Sequence, residues 1–263
     1  MERNILLKIE YDGTDFSGWQ RQPGRRTVQG TLEEALSKVL GQDIKIEGTS
    51  RTDAGVHALG QRAIFKGEFP IPTENIQKAV NNMLAGGMNN KNKLPDINIA
   101  GVMVEAPDFH PRFDAKGKHY RYIIENSKTP NIFRRNYRYQ INQWLDTDAM
   151  REAANQFLGE HDFAAFQSAG GTPRESTVRR IYSVDIYRRE NDEIIVDIVG
   201  NGFLYNMIRI MVGTLVEVGL GKREPMEIDR ILKSLDRSRA GHTAPPQGLY
   251  LMDVYYEFPE MEI

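Results

Sequence analysis

Ile5, Leu7 and Ile9 alternate with Lys8 and Glu10, and this period of two predicts a strand from Ile5 to Tyr11. Asp12-Gly13 then signals a turn, and Phe16 to Pro23 reads as an irregular, aromatic and basic loop. At Thr31-Leu32-Glu33-Glu34, a capping box, the period changes to that of a helix. Leu32, Ala35, Leu36, Val39 and Leu40 form its buried stripe, and Gly41 stops it. Strands are predicted near 43–48 and 61–69. Pro72-Thr73 opens a second helix, with Ile76, Ala79, Val80, Met83 and Leu84 on one stripe. A polar loop from Gly86 to Asp96 leads into a strand marked by Ile97, Ile99, Val102 and Val104. Strand, helix, strand, strand, helix, strand is the ferredoxin-like split βαβ order.

The pattern then repeats. Lys118 to Glu125 reads as a strand, and Asp146 to Leu158 as a helix with Ala149, Met150, Ala153, Ala154, Phe157 and Leu158 on one face. Arg180–Arg188 and Ile194–Gly200 read as a hairpin turning at Asn191-Asp192. Phe203 to Val218 is apolar nearly all round and is predicted to be a buried helix. Pro225 to Leu235 is amphipathic, and Gly248 to Phe258 closes as a strand. The expected fold class is therefore α+β: two ferredoxin-like (βαββαβ) halves related by pseudo-twofold symmetry. Their sheets are antiparallel or mixed, with helices on one face and a central cleft. The expected domains are 1–106, carrying the loop described next, and 107–263, with an extra helix and carrying Tyr120 and Arg209. No Gly/Ser linker separates them.

That loop is Gly48-Thr49-Ser50-Arg51-Thr52-Asp53-Ala54-Gly55-Val56-His57-Ala58, which sets an Arg, a carboxylate and a His among small residues between two predicted strands. Loops held by a rigid sheet commonly carry catalytic side chains; a charged surface loop is the simpler reading. Tyr120 lies on the strand that opens the second half, and Arg209 sits in the most apolar helix. A buried Arg needs an anion, and Asp53 is the expected partner across the cleft. A neighbouring cation keeps a carboxylate ionised, as a carboxylate nucleophile requires. An ordinary structural ion pair tying the halves together remains the alternative.

Composition narrows the chemistry. The 263 residues are 40% hydrophobic and 27% charged, enough for a proper core. The absence of cysteine excludes a thiol nucleophile, a disulfide framework and Cys-ligated zinc, and fits a cytoplasmic setting. Neither a signal peptide nor a membrane span is expected. Net charge is −2, so any nucleic-acid face must come from local clusters. These are Arg21, Arg25 and Arg26; Arg134, Arg135 and Arg138; Arg174, Arg179 and Arg180; and Lys222 with Arg223. His57, His110, His119, His161 and His242 show no metal spacing, and His57 reads as structural.

At the central loop the chain resembles the tRNA pseudouridine synthase A family. Tyr11-Asp12-Gly13 with Phe16-Ser17-Gly18-Trp19-Gln20 is similar to that family's first strand and loop. Phe109-His110-Pro111-Arg112-Phe113 with Lys118-His119-Tyr120-Arg121-Tyr122, Gly159 to Phe163, Asn201-Gly202-Phe203 with Met207-Ile208-Arg209, and Thr243 to Leu249 follow in order. The Gly86–Asp96 loop departs by its length. The resemblance implies isomerisation of uridine to pseudouridine at positions 38, 39 and 40 of the anticodon stem-loop. It implies a homodimer acting on tRNA with no metal, nucleotide or redox cofactor. It matches Asp53 to the nucleophile and Arg51 to the residue that fills the space of the flipped base. Tyr120 matches the aromatic stacked on the uracil, Arg209 the partner of the carboxylate, and Leu249 the packing on the base's other side. Two other readings compete. One is a non-catalytic RNA-binding sheet protein, with at most one of Tyr120 and Tyr122 as a platform because alternation along the strand is expected to turn them to opposite sides. The other is an aspartate-nucleophile phosphatase, from Glu10-Tyr11-Asp12-Gly13-Thr14; Glu10 stands where its nucleophile belongs, and the required parallel sheet is missing.

Overall fold

Strand β1 (Arg3–Tyr11) is the spine of the first unit. The computed structural model describes residues 2–86, 94–171, 175–190 and 192–257. Helix α1 (Val28–Leu40) begins a turn earlier than the capping box at Thr31 predicts. Thr27 takes the cap: its side chain accepts the Gly30 N–H, while the Thr31 hydroxyl donates to the Thr27 carbonyl. Gly41, at φ 70, ends the helix as expected. The strand expected at 43–48 shrinks to β2 (Glu47–Gly48), and β3 (His57–Gly67) starts earlier than predicted and takes in His57. In α2 (Thr73–Leu84) Ile76 and Val80 are buried, but Met83 is exposed, so the buried stripe is narrower than predicted. In β4 (Ile97–Glu105) the register against β1 slips between Lys8 and Ile9, so Ala100 is the extra residue of a bulge. That explains why the apolar positions change phase from 97 and 99 to 102 and 104, although Val104 ends up exposed. The strands order as β4-β1-β3, with β2 also on β3, and β1 is antiparallel to both neighbours.

The last strand, β10 (Leu249–Tyr255), joins this unit from Tyr250 onward. It runs parallel to β3, Tyr250 opposite His57 and Leu251 opposite Ala58. The Lys116 N–H donates to the Tyr255 carbonyl, and Arg62 pairs with Asp253 at 2.8 Å.

The second unit runs from Gly117 to Leu249. Its sheet orders β5 (Gly117–Glu125), β9 (Glu193–Gly200), β8 (Val178–Arg188) and β7 (Gly159–Asp162), with the short β6 (Tyr139–Gln140) parallel to β5. Neither β6 nor β7 is legible as an alternation. Every residue of β9 is buried. Asn191 of the expected turn lies outside the described residues, as do Arg174, Phe258 and most of the Gly86–Asp96 loop; Asp192 takes a left-handed φ of 61. Helix α3 (Thr147–Asn155) is capped by Asp146 and ends before Leu158, which is exposed. Phe157, Phe163 and Phe166 pack ring to ring, which makes Phe163 a core residue. Helix α4 (Met207–Gly219) starts four residues later than predicted, because Asn206 adopts a left-handed φ of 60. α5 is Glu227–Ser234, with Pro225 ahead of it. No helix among the described residues is long and apolar enough to cross a membrane.

On β5, His119 and Arg121 point away from Tyr120 and Tyr122. Arg121 lies directly across from Asp197 in the ladder. Its Nε and Nη2 donate to the two carboxylate oxygens at 2.8 and 2.9 Å, and His119 Nε2 lies 2.8 Å from Oδ1. Burial pushes this carboxyl up, but the bonds from His119 and Arg121 outweigh it and hold it at about 2. A depressed carboxyl contributes stability that is complete above its unfolded value near 4 and disappears as pH falls through 2. The expected contribution is about 2 kcal/mol. Urea unfolding at a series of pH values from 6 to 2 checks it. The wild type should lose that much more stability than Asp197→Asn over this interval, and parallel acid limbs would exclude the linkage.

Candidate active site

The loop between β2 and β3 is fixed residue by residue. The Thr49 N–H donates to the Arg62 carbonyl, and the Thr49 hydroxyl donates to the Pro111 carbonyl at 3.0 Å. Tyr256 reaches the same carbonyl at 3.0 Å; burial pushes its hydroxyl up to about 12, so it stays a neutral donor at physiological pH. Gln61 clamps Ser50 from both sides, accepting its N–H and donating to its carbonyl. The buried Thr52 hydroxyl sits 2.7 Å from the Tyr11 hydroxyl, and the Thr52 carbonyl accepts the Trp19 N–H. A Val56 N–H to Asp53 carbonyl bond closes the turn.

Two glycines let the first loop approach this turn. A Cβ on Gly13 would stand 2.0 Å from the Val56 carbonyl oxygen. One on Gly18, at φ +87, would stand 2.8 Å from the Thr52 carbonyl oxygen and 3.3 Å from the Asp53 carbonyl carbon. The backbone beside Asp53 is thus packed against backbone, where no side chain could yield. On that frame Arg51 is exposed and Asp53 half-buried. A half-buried carboxylate on a backbone so held is the starting point that covalent or general-base chemistry needs.

His57 is 2% exposed and stacks on Tyr250 at 4.7 Å. Its Nδ1 lies 3.1 Å from the Gly13 backbone N and 3.2 Å from Asp12 Oδ1. The imidazole is a strut between the first loop and β3.

In the second unit Tyr120 is 8% exposed and meets the Phe203 ring edge-on at 5.3 Å. Tyr122, two residues on, shares its face; the expectation of opposite sides fails because strand side chains repeat every second residue. Tyr122 is fully buried and donates to the Pro245 carbonyl at 2.7 Å; burial pushes its hydroxyl well above the usual tyrosine value. Arg209 lies in the first turn of α4. Its Nη1 donates to Asn206 Oδ1 and its Nε to the Ala244 carbonyl, both at 2.7 Å, while the Ala244 N–H returns to the Arg209 carbonyl. The segment 240–249 is laid along α4 by small residues. Gly213 would place a Cβ 1.8 Å from the His242 carbonyl oxygen, and the Gly241 N–H donates to Thr214. This segment delivers Leu249, 6% exposed, to the start of β10.

Arg51 and Asp53 therefore belong to the first unit, and Tyr120, Arg209 and Leu249 to the second. The scaffold residues Tyr11, Trp19, Gln61 and Tyr256 were not predicted. The one sequence signal that could have found a partner for Arg209 is its helical spacing from Asn206. Carboxylates neighbour many of the clustered arginines: Arg21 with Glu33, Arg26 with Asp96, Arg134 and Arg138 with Glu193, and Arg223 with Glu217. Among the described residues no group of three or more His, Asp or Glu side chains is placed to hold a metal ion.

The family model described as tRNA pseudouridine synthase matches residues 8–113 and 153–257. The first segment contains Arg51 and Asp53, the second Arg209 and Leu249; Tyr120 falls between them. A tRNA pseudouridine synthase A from Ruminiclostridium cellulolyticum is 48% identical over 97% of this chain and 100% of its own length. One from Caldicellulosiruptor bescii gives the same identity and coverage. Among solved structures, an archaeal box H/ACA Nop10-Cbf5 complex matches with a TM-score of 0.36 and 10% identity, covering 81% of this chain and 43% of that one. That structural match is too low to bear on the argument, whereas identity near one half over whole chains leaves no room for a merely shared architecture. The chain belongs to the tRNA pseudouridine synthase family, a family of isomerases.

Proposed function

We propose that this enzyme isomerises uridine to pseudouridine at positions 38, 39 and 40 in the anticodon stem-loop of tRNA, with Asp53 as the catalytic carboxylate. The observation that carries the reading is the loop around Asp53. Its backbone is pinned on both sides by Thr49, Ser50, Thr52 and Val56, while its carboxylate-bearing residue is left half-buried. The reaction breaks the N1–C1′ glycosidic bond, turns the uracil and rejoins it through C5. A stacked stem hides those atoms, so the target nucleotide must leave the stack at a cost of a few kcal/mol. The exposed Arg51 takes the space it vacates. Tyr120 stacks on the uracil, with Leu249 on the base's other side, and Arg209 keeps the Asp53 carboxylate ionised. The reading includes two ferredoxin-like halves, 1–106 and 107–263, and a homodimer in the cytoplasm that uses no cofactor. Two separate matches to one family model support the duplication.

The deciding experiment maps pseudouridine in tRNA from cells lacking this protein and again after its restoration. Loss and recovery at positions 38 to 40 is the expected result. Unchanged modification there, with loss at another tRNA site, would move the substrate assignment while leaving the family intact.

A further inference from the structure

The chain contains two tryptophans, and their environments are opposite. Trp19 is 1% exposed and belongs to the core beside the Asp53 loop; Trp144 is 71% exposed. A single exposed apolar side chain is ordinary. What surrounds Trp144 is not. The segment 141–145 is held on both sides of it by one buried asparagine: Asn126 Nδ2 donates to the Ile141 carbonyl at 3.1 Å and the Gln143 carbonyl at 2.6 Å, and Asn126 Oδ1 accepts the Leu145 N–H. Arg188, at the end of β8, donates to that same Asn126 Oδ1 and to the Leu145 carbonyl, at 2.9 and 3.0 Å. Its guanidinium carbon lies 3.9 Å from the centroid of the Trp144 ring. Arg188 Nη1 is buried without a hydrogen-bond partner, a cost the fold carries to keep the guanidinium there.

An indole fixed by its backbone and backed by a cation on one face loses little freedom when something stacks on the other. The cation draws π density toward itself, so the open face prefers an electron-rich aromatic partner. Nucleobases, purines above all, fit that description, and base-on-aromatic stacking is sequence-tolerant because every base has a π-face.

We propose that Trp144, backed by Arg188, is a fixed stacking platform for an unpaired nucleobase of the tRNA substrate, outside the residues assigned to the reaction. The inference rests on the tRNA reading above. The exposed indole is its own reporter, because the other tryptophan is buried. In the wild-type protein, iodide should quench the red-shifted part of the emission. Adding tRNA should shield that component, and the component should be absent from Trp144→Phe. Trp144→Ala should weaken tRNA binding by roughly fivefold to a hundredfold in a filter assay. Trp144→Phe should retain much of the affinity, because a smaller ring still stacks, and kcat at saturating tRNA should stay near the wild-type value in both.

If tRNA binds with wild-type affinity to Trp144→Ala, or binds the wild type and leaves the indole open to iodide, the platform is excluded and the tRNA reading stands. Failure of the wild-type protein to bind tRNA removes both. Shielding that grows with protein concentration in the absence of RNA would assign the surface to a second copy of the chain and overturn the inference.

Discussion

Asp53→Asn should abolish pseudouridine formation while leaving tRNA binding within a few-fold of wild type. The substitution keeps the size of the side chain and removes the charge and the nucleophilic oxygen. The loop that carries it is held through main-chain groups and through Thr49, Ser50 and Thr52, not by the residue 53 carboxylate alone, so the fold should survive. Loss of a reacting group typically costs at least about a thousandfold in kcat, and more when it forms a covalent intermediate. Single-turnover release of tritium from uracil C5 on labelled tRNA, alongside a binding assay, separates the two readouts. Turnover within tenfold of wild type would remove Asp53 from the chemistry. A simultaneous loss of binding and thermal stability would make it a structural residue instead.

The second large effect is structural. Gly213 lies inside α4, where alanine is ordinarily better than glycine by about 1 kcal/mol. Here the new Cβ would stand 1.8 Å from the His242 carbonyl oxygen, a backbone atom that cannot rotate away. Overpacking of a tight core costs about 1–3 kcal/mol, and a backbone clash of this depth belongs at or beyond the upper end. Gly213→Ala should therefore destabilise the protein by about 3 kcal/mol despite the gain in helix propensity. The displaced segment 240–249 also holds Arg209 through the Ala244 carbonyl, so activity should fall even in the molecules that stay folded. Gly101→Ala is the control: its Cβ would meet only the Lys8 side chain, at an ordinary 3.6 Å, and its stability should change little. Thermal melts of the two variants side by side test this, and equal melting temperatures would refute the packing argument.

How far the sequence reached depended on what each residue answers to. Strand β1 and the stripes of α1 and α4 were legible because burial of one face, or of all faces, imposes a period. The start of α1 was misplaced because Thr27 and Thr31 are both acceptable caps, and the earlier one is favoured by Val28 and Gln29, whose N–H groups donate to the Gly18 and Trp19 carbonyls. The start of α4 was missed because a left-handed Asn206 interrupts a run that is apolar throughout. β6 and β7 have two and four residues, too few to show a period. In β4 the change of phase was visible, but only the register against β1 explains it. The chemistry of the Asp53 loop was readable because Arg, Asp and His stand among small residues. Its scaffold was not, since Gln61, Tyr11 and Tyr256 become partners of the loop only through the fold, up to 207 residues away in the case of Thr49 and Tyr256.

The parallel pairing of β10 with β3 has a consequence for how this protein is made. On the ribosome, Lys116 emerges more than 130 residues before Tyr250. At ordinary elongation speeds that gap lasts on the order of ten seconds. Throughout it the flank of β3 opposite β1 carries only β2, at Ala63 and Ile64, while its His57–Ala58 end has no strand from its own unit to zip against, and bare strand flanks invite mispairing. Nascent-chain folding of the leading unit cannot finish until all of the second unit, Gly117 to Leu249, has been synthesised.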